Sequence, residues 1–196
     1  DRICALFSAC IRCGKTLAID PYTANVLAAV AQLNPHIPTV TTAKQMRVYF
    51  PYYLTKRLLE RNPESYIYSL EPRKNKVSYN DFMTKPKRYV MLVRPTTLSY
   101  LEKLSIRHIR LIKSIWGGYW NEPNTERFRS WAKEHCEAVK DIHSSGHADT
   151  QSLQRIVEFV RPKTIVPIHT DAPKRFCDIF VNDNVKCLDN NEVLYL

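Results

Sequence analysis

Short apolar runs of strand length alternate with amphipathic runs of helix length, and that alternation constrains the fold more than any other feature of the sequence. Residues 2–13 place Ile3, Leu6, Phe7 and Cys10 at i, i+3, i+4 and i+7, which predicts a helix stopped by Gly14. Residues 16–19 predict a buried strand ending at Asp20. Thr23 is the expected cap of the next helix, with Val26, Leu27, Val30 and Leu33 on its apolar face. A short strand at 37–40 and a helix over 43–61, interrupted at Pro51, are expected to follow. Residues 66–70 alternate like a strand, and 72–75 read as a polar turn. Beyond them the pattern predicts a strand at 89–93 bounded by Pro95, a short helix at 97–104 and a strand at 109–115. Asn124 is the expected cap of a helix reaching Cys136. Strands at 139–142 and 164–168 flank a helix over 150–160, and short strands at 179–181, 185–188 and 193–196 close the chain. Strands separated by helices of about ten residues define an α/β fold, a largely parallel sheet flanked by helices.

Composition excludes the alternatives. At 196 residues the chain has room for one or two domains with a hydrophobic core. A content of 44% hydrophobic and 24% charged residues argues against disordered, collagen-like and disulfide-scaffold classes. No apolar run approaches the roughly 20 residues of a membrane span. With four glycines there is little material for a Gly-rich phosphate loop. Cys10 and Cys13 form one C-x-x-C, but Cys10 belongs to the apolar helix stripe, so it reads as a buried helix residue rather than a zinc or redox ligand. The formal net charge is +10. Residues 41–114 hold 16 Lys/Arg against 5 Asp/Glu and so carry the whole excess, as a polyanion-binding face would. For any single basic side chain, a solvated surface role is the default. The chain opens on Asp1 with no secretory signal, so a cytoplasmic location and a longer parent protein are expected.

The chemistry-bearing residues concentrate between Asp141 and Asp171. His143-Ser144-Ser145-Gly146-His147-Ala148 follows one expected strand, and Pro167-Ile168-His169 closes the next. A strand–helix–strand unit joins its strands in parallel through a right-handed crossover. His147 and His169 then lie past the C-terminal strand ends, where open α/β sheets bind ligands. Two such histidines can converge on one metal ion or one phosphate, the alternative for either alone being a structural histidine. Gly146 lets the backbone approach a ligand closely, and Ser144, Ser145 and nearby amides suit an anion.

These residues also carry a resemblance. His143-Ser144-Ser145-Gly146-His147-Ala148 resembles the H-x-S-G-H-A motif of β-CASP nucleases, a branch of the metallo-β-lactamase superfamily that includes ribonuclease J and the mRNA 3′-end processing endonuclease. Pro167-Ile168-His169 resembles the P-[IV]-H motif that follows it, 22 residues separating His147 from His169. Ile115-Trp116-Gly117-Gly118-Tyr119 is similar to an S-x-W-x-G-Y stretch of bacterial members, and over residues 1–140 the likeness is otherwise one of pattern. The resemblance implies a β-CASP-like domain over 1–136 and the C-terminal part of a metallo-β-lactamase αββα domain over 137–196. It implies His147 as a catalytic residue that contacts the scissile phosphate and helps protonate the leaving oxygen. His169 would be a zinc ligand, and His143, Ser145, Gly146 and Ala148 would hold a substrate phosphate. In such enzymes two zinc ions activate a water for attack on a phosphodiester. The partner implied is nucleic acid, single-stranded RNA foremost, with a homo-oligomer compatible and no membrane.

The chain departs from this pattern in one large respect. The family's main metal motif is H-x-H-x-D-H, and no two of His36, His108, His135, His143, His147 and His169 form H-x-H. The chain therefore reads as a fragment of a zinc-dependent metallo-hydrolase, foremost a ribonuclease, that cleaves nothing alone. Asp20 reads as structural rather than as the family's acidic motif. The aromatic stretches 49–53 and 116–120 read as core and interdomain packing rather than base-stacking surfaces. Two other readings remain: a hydrolase of the same fold with a non-nucleic-acid substrate, and a non-catalytic nucleic-acid-binding module.

Overall fold

The computed structural model describes residues 2–61, 75–143, 146 and 148–195. The strand expected at 66–70, most of the turn at 72–75, and the site residues Ser144, Ser145 and His147 lie outside the described residues. The chain divides into two compact units, residues 1–143 and 144–196.

The first unit runs α1 (Arg2–Arg12), β1 (Thr16–Ile19), α2 (Pro21–Leu33), β2 (Met46–Val48), α3 (Tyr52–Arg61), α4 (Tyr79–Thr84), β3 (Tyr89–Met91), α5 (Leu98–Leu101), β4 (Ile109–Lys113), α6 (Gly117–Trp120), α7 (Glu126–His135) and β5 (Cys136–Asp141). Its strands form two parallel sheets, one ordered β2-β1-β3 and one β4-β5. The α/β expectation is met.

β1 shows why the sheet sits where it does. Side chains alternate between the faces of a strand, and a parallel sheet is covered on both. Leu17 and Ile19 join one core cluster with Phe7, Cys10, Leu27, Met46 and Val48. Ala18 joins the other, with Tyr49, Phe82, Leu98, Leu111, Phe128 and Trp131. Tyr49 is fully buried, and its hydroxyl donates to the Leu92 carbonyl at 2.7 Å, which satisfies the polar atom that burial would otherwise strand. Cys10 lies in the α1 seam as read from its spacing, and burial pushes its thiol pKa up. Gly14 ends α1 with φ +63°, the left-handed geometry that glycine adopts without strain.

Several expected elements differ. Residues 37–40 form no strand, because the hydroxyls of Thr39 and Thr42 bond each other and the Thr39 amide, satisfying the backbone locally. The helix expected over 43–61 is instead β2 followed by α3. Buried Met46 and Val48 alternate with half-buried Arg47, and the helix starts only after Pro51. Asp20, not Thr23, caps α2, accepting from the Thr23 amide at 2.7 Å with Pro21 in the first turn. The buried face of α2 is Ala24 and Leu27, while Val26, Val30 and Leu33 are exposed. Asn124 lies in a short 3-10 turn ahead of α7 and does not cap it.

The second unit holds α8 (Thr150–Val160) and α9 (Arg175–Ile179). α8 has the predicted bounds. Asp149 caps it, and Arg161, in the left-handed region at φ 49°, ends it ahead of Pro162. The expected strands at 164–168 and 185–188 reduce to one parallel bridge, Ile165 to Val185. Residues 179–181 leave the end of α9, and 193–195 form no strand. The expected strand–helix–strand unit is thus not built as read: β5 pairs with β4 within the first unit, and Ile165 pairs with Val185 within the second. Single strand pairs depend on partners elsewhere in the chain, which local patterning does not specify.

Candidate functional site

In the first unit one candidate site residue, His143, follows the C-terminal edge of the β4–β5 pair. The strands end in register at Lys113 and Asp141, whose side chains form an ion pair at 2.5 Å. The Ile142 amide donates to the Lys113 carbonyl at 2.9 Å, extending the pairing by one residue. The chain leaving β4 through Ser114 and the chain leaving β5 through His143 therefore emerge side by side. Arg2 ties its guanidinium to the Ser114 carbonyl at 2.7 Å. His143 is exposed at this edge, as a substrate-binding role requires.

In the second unit, Gly146, Ala148 and His169 are all exposed. A side chain added at Gly146 would meet nothing within 4 Å. Asp149 accepts the Ser152 amide at 2.7 Å, and that hydrogen bond lowers its pKa. His169 sits at φ 55°, after buried Pro167 and exposed Ile168. A left-handed backbone costs a non-glycine residue roughly 1 kcal/mol, so its neighbours must hold it there.

These residues do not by themselves make a zinc site. Among the described residues, no group of three His, Cys, Asp or Glu side chains is placed to hold a metal ion. A zinc centre needs three or four protein donors, and His169 is the one residue assigned to metal. The donor set therefore does not fit a resident ion on its own.

Asp20 occupies the other sheet edge, beyond β1. Its carboxylate is fully buried, caps α2, and pairs with Arg94 Nε at 2.9 Å. Arg94 also donates to Thr23 Oγ1 at 2.7 Å and lies over the Tyr22 ring at 5.1 Å. Both carboxylate oxygens are committed, which agrees with a structural role. Arg94 stands 74 positions away, and no local signal marks it as the partner.

The aromatic stretches divide. Tyr49 is core, and Trp120 packs edge-on against Phe128 at 6.0 Å. Tyr52 and Tyr53 in the first stretch, and Trp116 and Tyr119 in the second, are exposed, contrary to the packing expectation. Two surface hollows fall in the basic segment. One of about 430 Å³ is lined by residues 84–88, including Lys85, Lys87 and Arg88. The other, about 660 Å³, is lined by Phe50, Tyr52 and Lys56 among others. Neither includes a candidate site residue.

Residues 132–175 match the family model of the Zn-dependent metallo-hydrolase RNA specificity domain. The match spans β5, residues 143–148, α8 and His169. Over this stretch the chain is similar to the RNA specificity domain of Zn-dependent metallo-hydrolases. No curated protein matches the chain.

Proposed function

We propose that this chain is the RNA-binding portion of a zinc-dependent ribonuclease of the β-CASP branch. The observation that carries the reading is the coincidence of the two histidine motifs with one RNA-specificity match, residues 132–175. In this reading His143, Ser145, Gly146 and Ala148 hold an RNA phosphate, and His147 serves the leaving oxygen. His169 supplies one imidazole to a zinc site whose other donors come from the rest of a longer parent. The basic segment over 41–114 adds sequence-independent attraction for the RNA backbone.

Binding of labelled single-stranded RNA by the 196-residue chain, followed by anisotropy across salt, tests the reading. The affinity is expected to fall steeply between about 50 and about 200 mM salt, because bound cations leave the phosphates. A flat response removes phosphate contacts and the RNA reading with them. In the zinc-loaded parent, His147→Ala and His169→Ala are each expected to abolish phosphodiester cleavage. Full activity after His169→Ala would rule out its metal role.

A further inference from the structure

Two large rings stand in solvent three and six residues past the end of β4. Trp116 is 59% exposed and Tyr119 57% exposed, although rings of this size are ordinarily covered. They meet edge-on, with centroids 5.4 Å apart and planes at 84°. The Trp116 ring lies across Gly118, so that a methyl group added there would overlap it. A methyl added at Gly117, in the same turn, would meet nothing. The turn itself is anchored inward. Trp120 packs on Phe128, and the Trp120 carbonyl accepts from the Thr125 hydroxyl at 2.6 Å and from Arg129. α6 thus fastens itself by Trp120 and displays Trp116 over a glycine with Tyr119 at its edge.

We propose that Trp116 is a stacking platform for an unpaired base of single-stranded RNA whose backbone passes His143. The inference rests on the RNA reading above and adds a base contact to it. Three observations select this occupant. The Lys113–Asp141 register and the Ile142–Lys113 hydrogen bond bring the chain carrying Trp116 out of the sheet beside the chain carrying His143. His143 falls within the RNA-specificity match. The segment that ends at Ser114, just ahead of this turn, carries the positive excess that attracts a polyanion. A single indole face stacks on any base, which suits a site that reads single strands without a base code.

The test compares the 196-residue chain with W116A, W116F, G118A and G117A. Each is titrated against labelled oligoadenylate and against an abasic strand of the same length, with circular dichroism to confirm folding. W116A is expected to weaken oligoadenylate binding about tenfold or more, and G118A to do likewise by displacing the ring. W116F should retain most of the affinity, and G117A all of it. The abasic strand should bind the parent chain and W116A equally, since it offers nothing to stack. Salt-sensitive binding that W116A and G118A leave unchanged overturns the stacking role and spares the RNA reading. An equal loss for both strands also overturns it, because the ring would then act through the fold or through a protein contact. No salt-sensitive binding by the parent chain overturns both proposals.

Discussion

Asp20 is committed twice, once to the α2 amide it caps and once to Arg94, and the two commitments can be separated by mutation. Asp20→Asn keeps a good cap and leaves a guanidinium that is already 40% exposed, so water takes over its lost partner. The expected cost is about 1 kcal/mol. Arg94→Ala strands a fully buried carboxylate and should cost roughly 3 kcal/mol. Urea unfolding of the two variants checks the order, and equal losses would mean that the pair contributes little beyond the cap. At this scale the sequence is informative about chemistry and silent about partners. Asp20 reads correctly as a structural strand-end residue, and the motif His143 to Ala148 marks itself by residue type. Arg94 is invisible because its pairing depends on β3 lying beside β1. The left-handed backbone at His169 is equally hidden, since it follows from how the residues around it settle.

Among the elements, α8 has the bounds its sequence predicts. Asp149 caps it, an apolar stripe runs through Leu153 and Val157, and Arg161-Pro162 stops it. The helix expected over 43–61 does not form over its whole length. A strand of three residues has too short a period-two signal to outweigh the helix-forming run behind it. The α8 cap also carries a pH dependence. The Ser152 amide, bonded to Asp149, holds that carboxyl below the ordinary aspartate value of 3.8. A depressed folded-state pKa means that the stabilisation is complete above the unfolded value and is lost as pH falls through the folded one. The first turn of α8 should therefore loosen on acidification below about pH 4. Asp149→Asn, which caps without titrating, should abolish that component. The Ser152 amide resonance followed by NMR against pH reads this directly, and identical profiles for parent and variant would rule it out.

The two units differ most in how much they bury. In the first, two clusters cover both faces of β1, with Leu17, Ala18 and Ile19 at 0% exposure. In the second, Pro167 and Phe180 are the buried residues among those described. Phe159 is 90% exposed, Ile168 80% and Val181 74%. Burial of apolar surface is the main force opposing chain entropy, at about 25 cal/mol per Å². A segment that buries so little has a small free energy of local opening, whatever the stability of the rest. This follows from tertiary packing, and the apolar stripe of α8 alone would have suggested a covered helix. Hydrogen exchange of the intact chain should therefore separate the units. Amides of β1 should exchange only through global unfolding, with denaturant accelerating them steeply. Amides of α8 should exchange orders of magnitude faster and with a shallow denaturant dependence, as local openings do. Equal protection and equal denaturant slopes in β1 and α8 would show that the chain unfolds as one cooperative body. On the RNA reading, saturating single-stranded RNA should slow α8 exchange more than β1 exchange, because a ligand held by residues 143–148 stabilises the folded state of the α8 segment.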